Sequence, residues 1–541
     1  MVGTRAVVAA VAQAGPDAAD DRSVEPASAT SAAGGAAGPA SDELAGVARH
    51  GAANLVGVAV AAVAAFGLNI VVTRNWSQTE AGLFFAATSN FMIAYAASRL
   101  GTGMGGVFFI SRYRTHGQPE RIRAVVLVGL LPVVGVGTAI AVAGWFAAPA
   151  LSEVLFKDPP PQAATTLRLL LLFVPFAAAG DFALAACRGF GRMKPLLLVE
   201  RLGRNLLQVA GVAMAAVLAL SATFGLPLTW VAPYLPTAAL GVVWLFLLTR
   251  RAERRAGVRP AGPRQEWRPF WRYSGPRALS GLAQMAVQRV DIVLLGAMRG
   301  LADAAVYTAA TRFLALGQLA GQALSTAVQH RLAEHLHRND RAAAGRLYQT
   351  ATGWLVLLAW PAYLLFAVFA EAVVALFGEG YEAGRWVTVY LALTMLVATG
   401  CGMVDTVLNM AGKTAWTFYN ALAGTVVNVV ANLLLIPPYG IFGAAVAWSL
   451  AILVNNIVPL VQLHHAMGLH PYGRGTLTAA GLALSCFGVP PLVARVAFGA
   501  DLRVLAGVAV AGALAYVAAA WRLRRVLELD ALRALRRGRR R

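Results

Sequence analysis

The sequence predicts an all-α, polytopic integral membrane protein, and three features indicate this fold class. The chain of 541 residues is 58% hydrophobic and only 13% charged, and its mean hydropathy of +0.63 is too high for one water-soluble core. Apolar stretches of roughly 20 residues, the length that crosses a bilayer as a helix, recur along the chain. Two short motifs also recur at nearly the same spacing, which indicates an internal repeat.

About fourteen stretches are long and apolar enough to span a membrane as helices. The prolines and the glycine of Pro437-Pro438-Tyr439-Gly440 favour a tight turn between the eleventh and the twelfth. In chain order the stretches are Leu55–Val72, Leu83–Ile110, Ala124–Trp145, Leu169–Ala186, Leu196–Leu220, Trp230–Leu248, Pro276–Met298, Ala304–Ala327, Leu347–Phe369, Trp386–Met410, Ala415–Ile436, Ile441–Leu463, Thr476–Ala497 and Val504–Trp521.

The repeat divides these spans into two lobes. EAGLFFAAT, which begins at Glu80, recurs 223 residues later as DAAVYTAAT at Asp303, and RGFGR at 188–192 recurs as NMAGK at 409–413. An even number of spans separates the copies, so the repeat is parallel and its axis lies along the membrane normal. We therefore expect two six-helix lobes plus two extra C-terminal helices, an architecture typical of transporters.

The charge distribution predicts the orientation of the chain. Lys and Arg concentrate in alternate connecting segments and at the C-terminus, which places both termini in the cytoplasm. The net charge of +21 then reflects anchoring against anionic lipid, and nucleic acid is not expected as a partner. The predicted segments are a disordered cytoplasmic segment at 1–48, an N-lobe at 49–249, a basic linker at 250–272, a C-lobe at 273–466, two further spans at 467–523 and a basic cytoplasmic tail at 524–541.

Charged residues inside the predicted spans are the candidate site residues, because charge at membrane depth is costly and marks a cavity or a partner. Arg201 and Arg204 share one helical face of the fifth span, as an anion-binding wall or as structural partners of Glu200. Asp291 and Arg312 each lie about ten residues from the turn between the seventh and eighth spans. We expect them to form an ion pair, structural or gating. The further basic candidates are Arg99, Arg277 and Arg289.

Two acidic residues are candidates for ion coupling. Asp181 in the fourth span and Asp405 in the tenth precede the repeated loop and could bind a proton or a cation, or simply pack helices together. The three cysteines lack the spacing of a disulfide framework or metal site, and no phosphate-binding loop motif occurs. We expect no metal site, no cofactor and no enzymatic activity.

Several motifs resemble those of bacterial polysaccharide exporters. LIPPYGIFGAAVA at 435–447 is similar to a signature of that family, and RVDIVLLG at 289–296, FGEGY at 377–381 and EAGLF at 80–84 support the resemblance collectively. The resemblance covers roughly residues 48–500. It implies a two-lobed flippase of the multidrug/oligosaccharidyl-lipid/polysaccharide exporter superfamily, in the bacterial plasma membrane. Such a protein moves a polyprenyl-diphosphate-linked oligosaccharide from the inner to the outer leaflet by alternating access.

The resemblance also implies a cationic central cavity that binds the diphosphate, and the basic candidates above match it in residue type. Expected partners are the lipid-linked glycan, membrane lipids, and a glycan polymerase and glycosyltransferases of the same pathway. Three alternatives stay open. They are a flippase of lipid II (the peptidoglycan precursor), a multidrug/cation antiporter of the same superfamily, and a non-transporting scaffold for glycan synthases.

Overall fold

The computed structural model describes residues 63–529, and these residues form helices joined by short loops with no strand among them. The predicted all-α class is confirmed. The predicted segment 1–48, the start of the first span at Leu55 and the tail beyond residue 529 lie outside the described residues.

Several predicted spans of the N-terminal half are built from two consecutive helices. The pairs α2 with α3, α5 with α6 and α8 with α9 each act as one span-length unit. The helices are α1 (63–75), α2 (Gln78–Arg99), α3 (Thr102–Thr115), α4 (Ile122–Leu155), α5 (Ala163–Leu171), α6 (Val174–Gly189), a π-helical segment (Leu196–Arg204), α7 (Asn205–Val217), α8 (Gly225–Val231) and α9 (Tyr234–Ala256).

The remaining helices form the C-terminal half and the two helices that follow it. They are α10 (Arg264–Met298), α11 (Leu301–Thr311), α12 (Leu314–His337), α13 (Arg341–Val368), α14 (Ala370–Ala375), α15 (Gly384–Gly400), α16 (Val404–Met410), α17 (Thr414–Met467), α18 (Arg474–Ala483), a second π-helical segment (Leu484–Gly488), α19 (Val489–Phe498) and α20 (Leu502–Arg522).

Within residues 63–529, nine helical units are long and apolar enough to cross a membrane, and the bent α10 adds a tenth. The polytopic architecture is therefore confirmed, whereas the number of about fourteen spans stays a prediction. One of the nine units, the 54-residue α17, folds back on itself and contains two predicted spans.

The reversal of α17 occurs where the sequence predicts a tight turn. The side-chain amides of Asn420 and Gln462 exchange hydrogen bonds of 2.7 and 3.0 Å although the residues are 42 positions apart. A straight helix would separate them by about 63 Å. Gly440, with φ 56° and ψ −132°, breaks the helical backbone between the two arms. The predicted turn at Pro437–Gly440 is confirmed.

The internal repeat is visible in the backbone of the second repeated motif. α6 and α16 each end two residues before a glycine, Gly191 or Gly412, and both glycines have φ of 73°. Their N–H groups donate to Arg188 and Asn409 at 2.8 and 3.1 Å. Because this left-handed conformation favours glycine at a helix end, the two copies keep the same residue for the same reason. The geometry supports the predicted repeat.

The connector between the two halves is shorter than the predicted linker at 250–272. α9 extends to Ala256 and α10 begins at Arg264, so only 257–263 is non-helical. Buried Glu266 in the first turn of α10 accepts a hydrogen bond from the Tyr113 hydroxyl and lies 2.6 Å from Arg121 Nε. These bonds attach the start of α10 to the N-terminal half.

Candidate functional site

A cavity of about 190 Å³ lies between the two halves, and we call it the central cavity. Helices α1, α2, α7 and α8 and the end of the π-helical segment form its wall on the N-terminal side, and α10, α11 and the residue after α11 form its wall on the C-terminal side. The lining residues are Ala64, Ala65, Leu68, Asn69, Phe84, Phe85, Thr88, Ser89, Met92, Arg204, Asn205, Gln208, Val209, Trp230, Arg289, Thr308 and Arg312.

Three of the predicted arginines, Arg204, Arg289 and Arg312, meet in this cavity. Arg204 comes from the N-terminal half and the other two come from the C-terminal half. The described lining contains no Asp or Glu, and no salt bridge between described residues includes any of the three arginines. A half-buried guanidinium without a salt-bridge partner keeps donors and charge for a ligand, so the arrangement suits an anion.

The hydrogen bonds of these arginines leave donors available. The Nε atoms of Arg204 and Arg289 are buried with no acceptor among the described protein atoms. Arg312 Nε donates to the carbonyl of Thr308 at 3.0 Å. This bond orients the guanidinium and leaves its two terminal nitrogens available to a ligand. The Arg204 guanidinium lies 4.7 Å from the centre of the Tyr234 ring, a cation–π contact that holds the side chain in place.

An aromatic cluster supports the N-terminal wall of the cavity. Trp230 packs edge-on against Phe84, Phe91 and Tyr234, with ring centroids 6.0, 5.6 and 5.9 Å apart. The amide of Gln208 donates to the Trp230 carbonyl at 2.9 Å, which ties α7 to α8. Sequence analysis did not single out these aromatic residues, because aromatic side chains inside a span usually serve packing and show no separate pattern.

Arg201 does not line the central cavity, although the sequence placed it on one face with Arg204. The reason is the π-helical winding of Leu196–Arg204. A π-helix bonds residue i to i+5 and turns less per residue than an α-helix, so residues three positions apart no longer share a face. The predicted common face is therefore wrong for Arg201, whereas Arg204, Asn205 and Gln208 do line the cavity together.

The predicted ion pair between Asp291 and Arg312 is wrong. Asp291 accepts hydrogen bonds from the Tyr307 hydroxyl at 2.7 Å and from the Ile292 N–H at 2.9 Å. No salt bridge joins it to Arg312 in the part of the chain that the structure describes. The α10–α11 hairpin places Tyr307 rather than Arg312 against the carboxylate. Equal distance from a turn fixes the depth of two side chains but not the direction in which they point.

The structure joins two residues that the sequence treated separately. Arg99 at the end of α2 and Asp181 in α6 form a salt bridge, with Nε 2.9 Å from Oδ2. Neither residue lines the central cavity. This pair neutralises Arg99 inside the N-terminal half, whereas the prediction made Arg99 a candidate ligand for the substrate.

Two further predicted residues lie away from the central cavity. Arg277 donates to the carbonyl of Tyr273 at 2.7 Å and stacks on the Tyr273 ring at 3.9 Å. Asp405, in the first turn of α16, is exposed and has no salt bridge among residues 63–529. The geometry brings neither residue to the three arginines.

The FGEGY motif at 377–381 lies where the two halves close against each other. Arg74 at the end of α1 donates to the carbonyls of Leu376 and Ala375 at 2.7 and 3.3 Å, at the end of α14. Buried Phe377 packs edge-on against Phe66, with centroids 5.7 Å apart. We call these contacts the outer latch, because the predicted topology places this end of the bundle outside.

The second helices of the two halves approach closely near the outer latch. Gly82 of α2 lies so near the carbonyl of Leu301, at the start of α11, that any side chain would collide with it. The two copies of the first repeated motif thus open helices that contact each other directly. This contact closes the gap between the halves on the side of the central cavity where α2 and α11 begin.

Comparisons with protein families agree with the motifs. The sequence model of the family described as "Polysaccharide biosynthesis protein" matches residues 47–328, just over half of the chain. A model described as MatE matches residues 276–434. The family resemblance identified from the sequence is therefore confirmed.

Curated relatives match over shorter stretches. A probable multidrug resistance protein NorM from Burkholderia pseudomallei is 29% identical over 229 residues, which are 40% of this chain and 48% of the relative. A probable low-salt glycan biosynthesis flippase, Agl15 of Haloferax volcanii, is 21% identical over 192 residues, 35% of this chain and 41% of the relative. The chain spans about half the length of the curated relatives it matches.

Solved structures share the fold over nearly their whole length. The lipid II flippase MurJ in an inward closed conformation superposes with a TM-score of 0.65 at 11% identity, covering 87% of this chain and 99% of that chain. An inward-facing multidrug resistance MATE family transporter of the MOP superfamily gives 0.61 at 17% identity, covering 75% and 94%. The fold is that of polytopic transporters of this superfamily.

Proposed function

Because the chain belongs to the polysaccharide biosynthesis protein family, we propose that this multi-pass membrane transporter flips a polyprenyl-diphosphate-linked oligosaccharide from the inner to the outer leaflet. The observation that supports this substrate class is the central cavity, in which arginines of both halves meet without a carboxylate in the described lining. The relatives with assigned names are transporters and flippases rather than enzymes.

The chemistry of the substrate matches that of the cavity. A lipid diphosphate carries negative charge that must cross hydrocarbon, and guanidinium groups stay charged and donate paired hydrogen bonds to phosphate oxygens. Arg204 would hold the diphosphate from the N-terminal half, and Arg289 and Arg312 from the C-terminal half. A bound diphosphate would then bridge the two halves. Its position would change when the halves move relative to each other.

The size of the central cavity indicates what binds in this conformation. At about 190 Å³ it is smaller than the roughly 300–1,000 Å³ of pockets that hold drug-sized ligands, so it suits a small anionic group rather than several sugars. The glycan therefore requires a wider opening between the halves. The outer latch keeps one end closed, so in the proposed cycle substrate enters from the cytoplasmic end and the latch opens for release.

The rest of the proposal follows from the same substrate. The protein would act in a bacterial plasma membrane with both termini in the cytoplasm, next to the glycosyltransferases that build the glycan and a polymerase that extends it. The prenyl chain would remain in lipid, beside the gap between the halves. Lipid II offers the same diphosphate chemistry, so the central cavity suits it equally and the choice of glycan requires an assay.

The cavity argues against a drug/cation antiporter. Phe84, Phe85 and Trp230 line the cavity, but the described lining has no carboxylate and its three arginines repel an organic cation. A scaffold without transport activity has no use for three buried arginines that face an internal space.

A reconstituted flipping assay tests the proposal. The full chain is placed in liposomes with a fluorescent polyprenyl-diphosphate-linked oligosaccharide, with lipid II or with a cationic dye, and an impermeant quencher measures movement between leaflets. We expect the first substrate to move, and the Arg204→Ala variant to slow it at least tenfold. Movement of lipid II alone would reassign the substrate, and movement of the dye alone would contradict the account.

A further inference from the structure

A groove of about 550 Å³ lies on the outside of the bundle, between α4 and the first turns of α10 and away from the central cavity. Leu127, Leu131 and Pro132 of α4 form one wall, and Trp267 stands opposite them. Leu131 and Trp267 are 64% and 50% exposed, so the groove is open and apolar. Val128, Pro263, Arg264 and Arg268 complete the lining.

Two arginines stand at the mouth of this groove. Arg264 and Arg268 are four residues apart, so they project from the same face of α10. Both are exposed, and neither has a salt bridge or a side-chain hydrogen bond to any of the residues described. The acid of the same turn, Glu266, points inward and is bound by Tyr113 and Arg121. The positive charge at the groove is therefore not neutralised by the protein.

The position of the groove along the bundle suits a lipid headgroup. α4 and α10 both begin at the end that the sequence predicts to be cytoplasmic, and the groove lies along the second and third turns of α4 and the first two turns of α10. Tryptophan is favoured at the membrane–water boundary because its ring is apolar and its N–H is polar. The groove thus presents cations and apolar side chains next to each other, as the phosphate and acyl chains of a lipid require.

We propose that this groove binds an anionic phospholipid of the cytoplasmic leaflet, its phosphate between Arg264 and Arg268 and one acyl chain along Leu127, Leu131 and Pro132. A lipid with a negative net charge, such as phosphatidylglycerol, fits this pattern better than zwitterionic phosphatidylcholine.

The bound lipid would stabilise the junction between the first turn of α10 and the N-terminal half. Glu266 fixes the first turn of α10 to the N-terminal half, while the same helix extends to Arg289 in the central cavity. A phospholipid in the groove adds a second attachment between this turn and α4. This inference does not rest on the proposed function, because it concerns a different surface and its test measures binding instead of transport.

The test is native mass spectrometry of the full chain, purified in detergent and titrated with phosphatidylglycerol or phosphatidylcholine. We expect the Arg264→Gln/Arg268→Gln variant to bind the first phosphatidylglycerol roughly 25-fold more weakly, since each basic residue near an anionic headgroup contributes about fivefold. The Arg264→Lys/Arg268→Lys variant should keep most of the binding. Phosphatidylcholine should bind weakly to all variants.

The matched control is Arg250→Gln/Arg254→Gln, which removes the same charge at the same spacing from the exposed C-terminal end of α9. It should bind phosphatidylglycerol like the unaltered chain. Equal weakening in both double variants would show general charge attraction and overturn the site, as would full binding in Arg264→Gln/Arg268→Gln. Displacement of phosphatidylglycerol by equimolar farnesyl diphosphate would assign the groove to prenyl diphosphates and overturn the phospholipid proposal.

Discussion

The arginines of the central cavity differ from Arg99 in that Arg99 has a salt bridge to a carboxylate, Asp181. Arg99 has a carboxylate 2.9 Å from its Nε, whereas Arg204, Arg289 and Arg312 have no salt bridge among the residues described. An arginine with a carboxylate partner is satisfied by the fold and stabilises it. Arginines without one lower the stability of the empty protein and leave binding energy for an anion. We propose that this difference, together with a position in the central cavity, separates ligand-binding from structural arginines.

The repeat sharpens this contrast, because the salt bridge exists in only one half. The residue 223 positions after Arg99 is Gln322, so the C-terminal half has no arginine at the position equivalent to Arg99. The two halves, which are related by the internal repeat, thus differ in their charged residues. The C-terminal half contributes two arginines to the central cavity and the N-terminal half contributes one.

Removal of Arg289 and Arg312, the two cavity arginines of the C-terminal half, should have the largest effect on transport. The Arg289→Ala/Arg312→Ala variant should lose at least about 100-fold of the flipping rate, because each charge-assisted hydrogen bond to phosphate contributes about 1.5–3 kcal/mol. Its melting temperature should be unchanged or higher, since uncompensated charge is removed. The liposome assay and a thermal scan measure both quantities. A rate within twofold of the unaltered chain would show that these arginines are not ligands.

Removal of the carboxylate from the salt bridge should affect stability rather than binding. The Asp181→Asn variant leaves Arg99 unpaired, and breaking a fully buried pair costs 3–5 kcal/mol. Because the Arg99 side chain is 41% exposed and screened, we expect about 1–2 kcal/mol. Thermal unfolding in detergent measures the loss. Asp181→Asn/Arg99→Gln should recover most of it, and equal destabilisation of the single and double variants would contradict a direct pairing.

Loss of the outer latch should have a smaller effect, an increase in the population in which the two halves are apart. Arg74→Ala removes two exposed hydrogen bonds to the end of α14, worth about 1 kcal/mol, or roughly fivefold in the open population. Ser89→Cys in the central cavity reports the opening through its labelling rate with an impermeant maleimide applied outside. Unchanged labelling would mean that these bonds do not hold the halves together. Arg385→Ala, at the same end but bound to Glu371 in its own half, is the control.

The smallest effect should be at Arg277. The Arg277→Ala variant should retain flipping and stability within about twofold, because the side chain bonds only to its own turn and stacks on Tyr273. This variant removes the same charge from α10 as Arg289→Ala and is its matched control. A tenfold loss of transport in Arg277→Ala would show that position in the central cavity does not decide which arginines matter.

The sequence predicted features that depend on local composition and spacing. Apolar stretches predicted the helices, two prolines and a glycine predicted the turn at Gly440, and the rarity of buried charge pointed to Arg204, Arg289 and Arg312. Two motifs that recur at nearly the same spacing predicted the repeat, and in the second of them both copies keep a glycine where the backbone is left-handed, Gly191 and Gly412.

Features that depend on helix winding or distant contacts were missed. The π-helical turn that rotates Arg201 away from the cavity has no marker in the sequence. The Arg99–Asp181 salt bridge joins residues 82 positions apart, and nothing in one sequence indicates which helices meet. The acceptors of Arg74 are backbone carbonyls, which every residue possesses, so this latch was not predictable from residue types.

The central claim is that the three arginines form an anion site because none of them has a salt bridge among the residues described. Isothermal titration of the purified full chain with inorganic diphosphate tests it most directly, since this probe has no lipid tail and needs no transport. We expect saturable binding by the unaltered chain and by Arg277→Ala, and at least 100-fold weaker binding by Arg204→Ala/Arg289→Ala/Arg312→Ala. Diphosphate binding of equal strength in the triple variant would contradict the account.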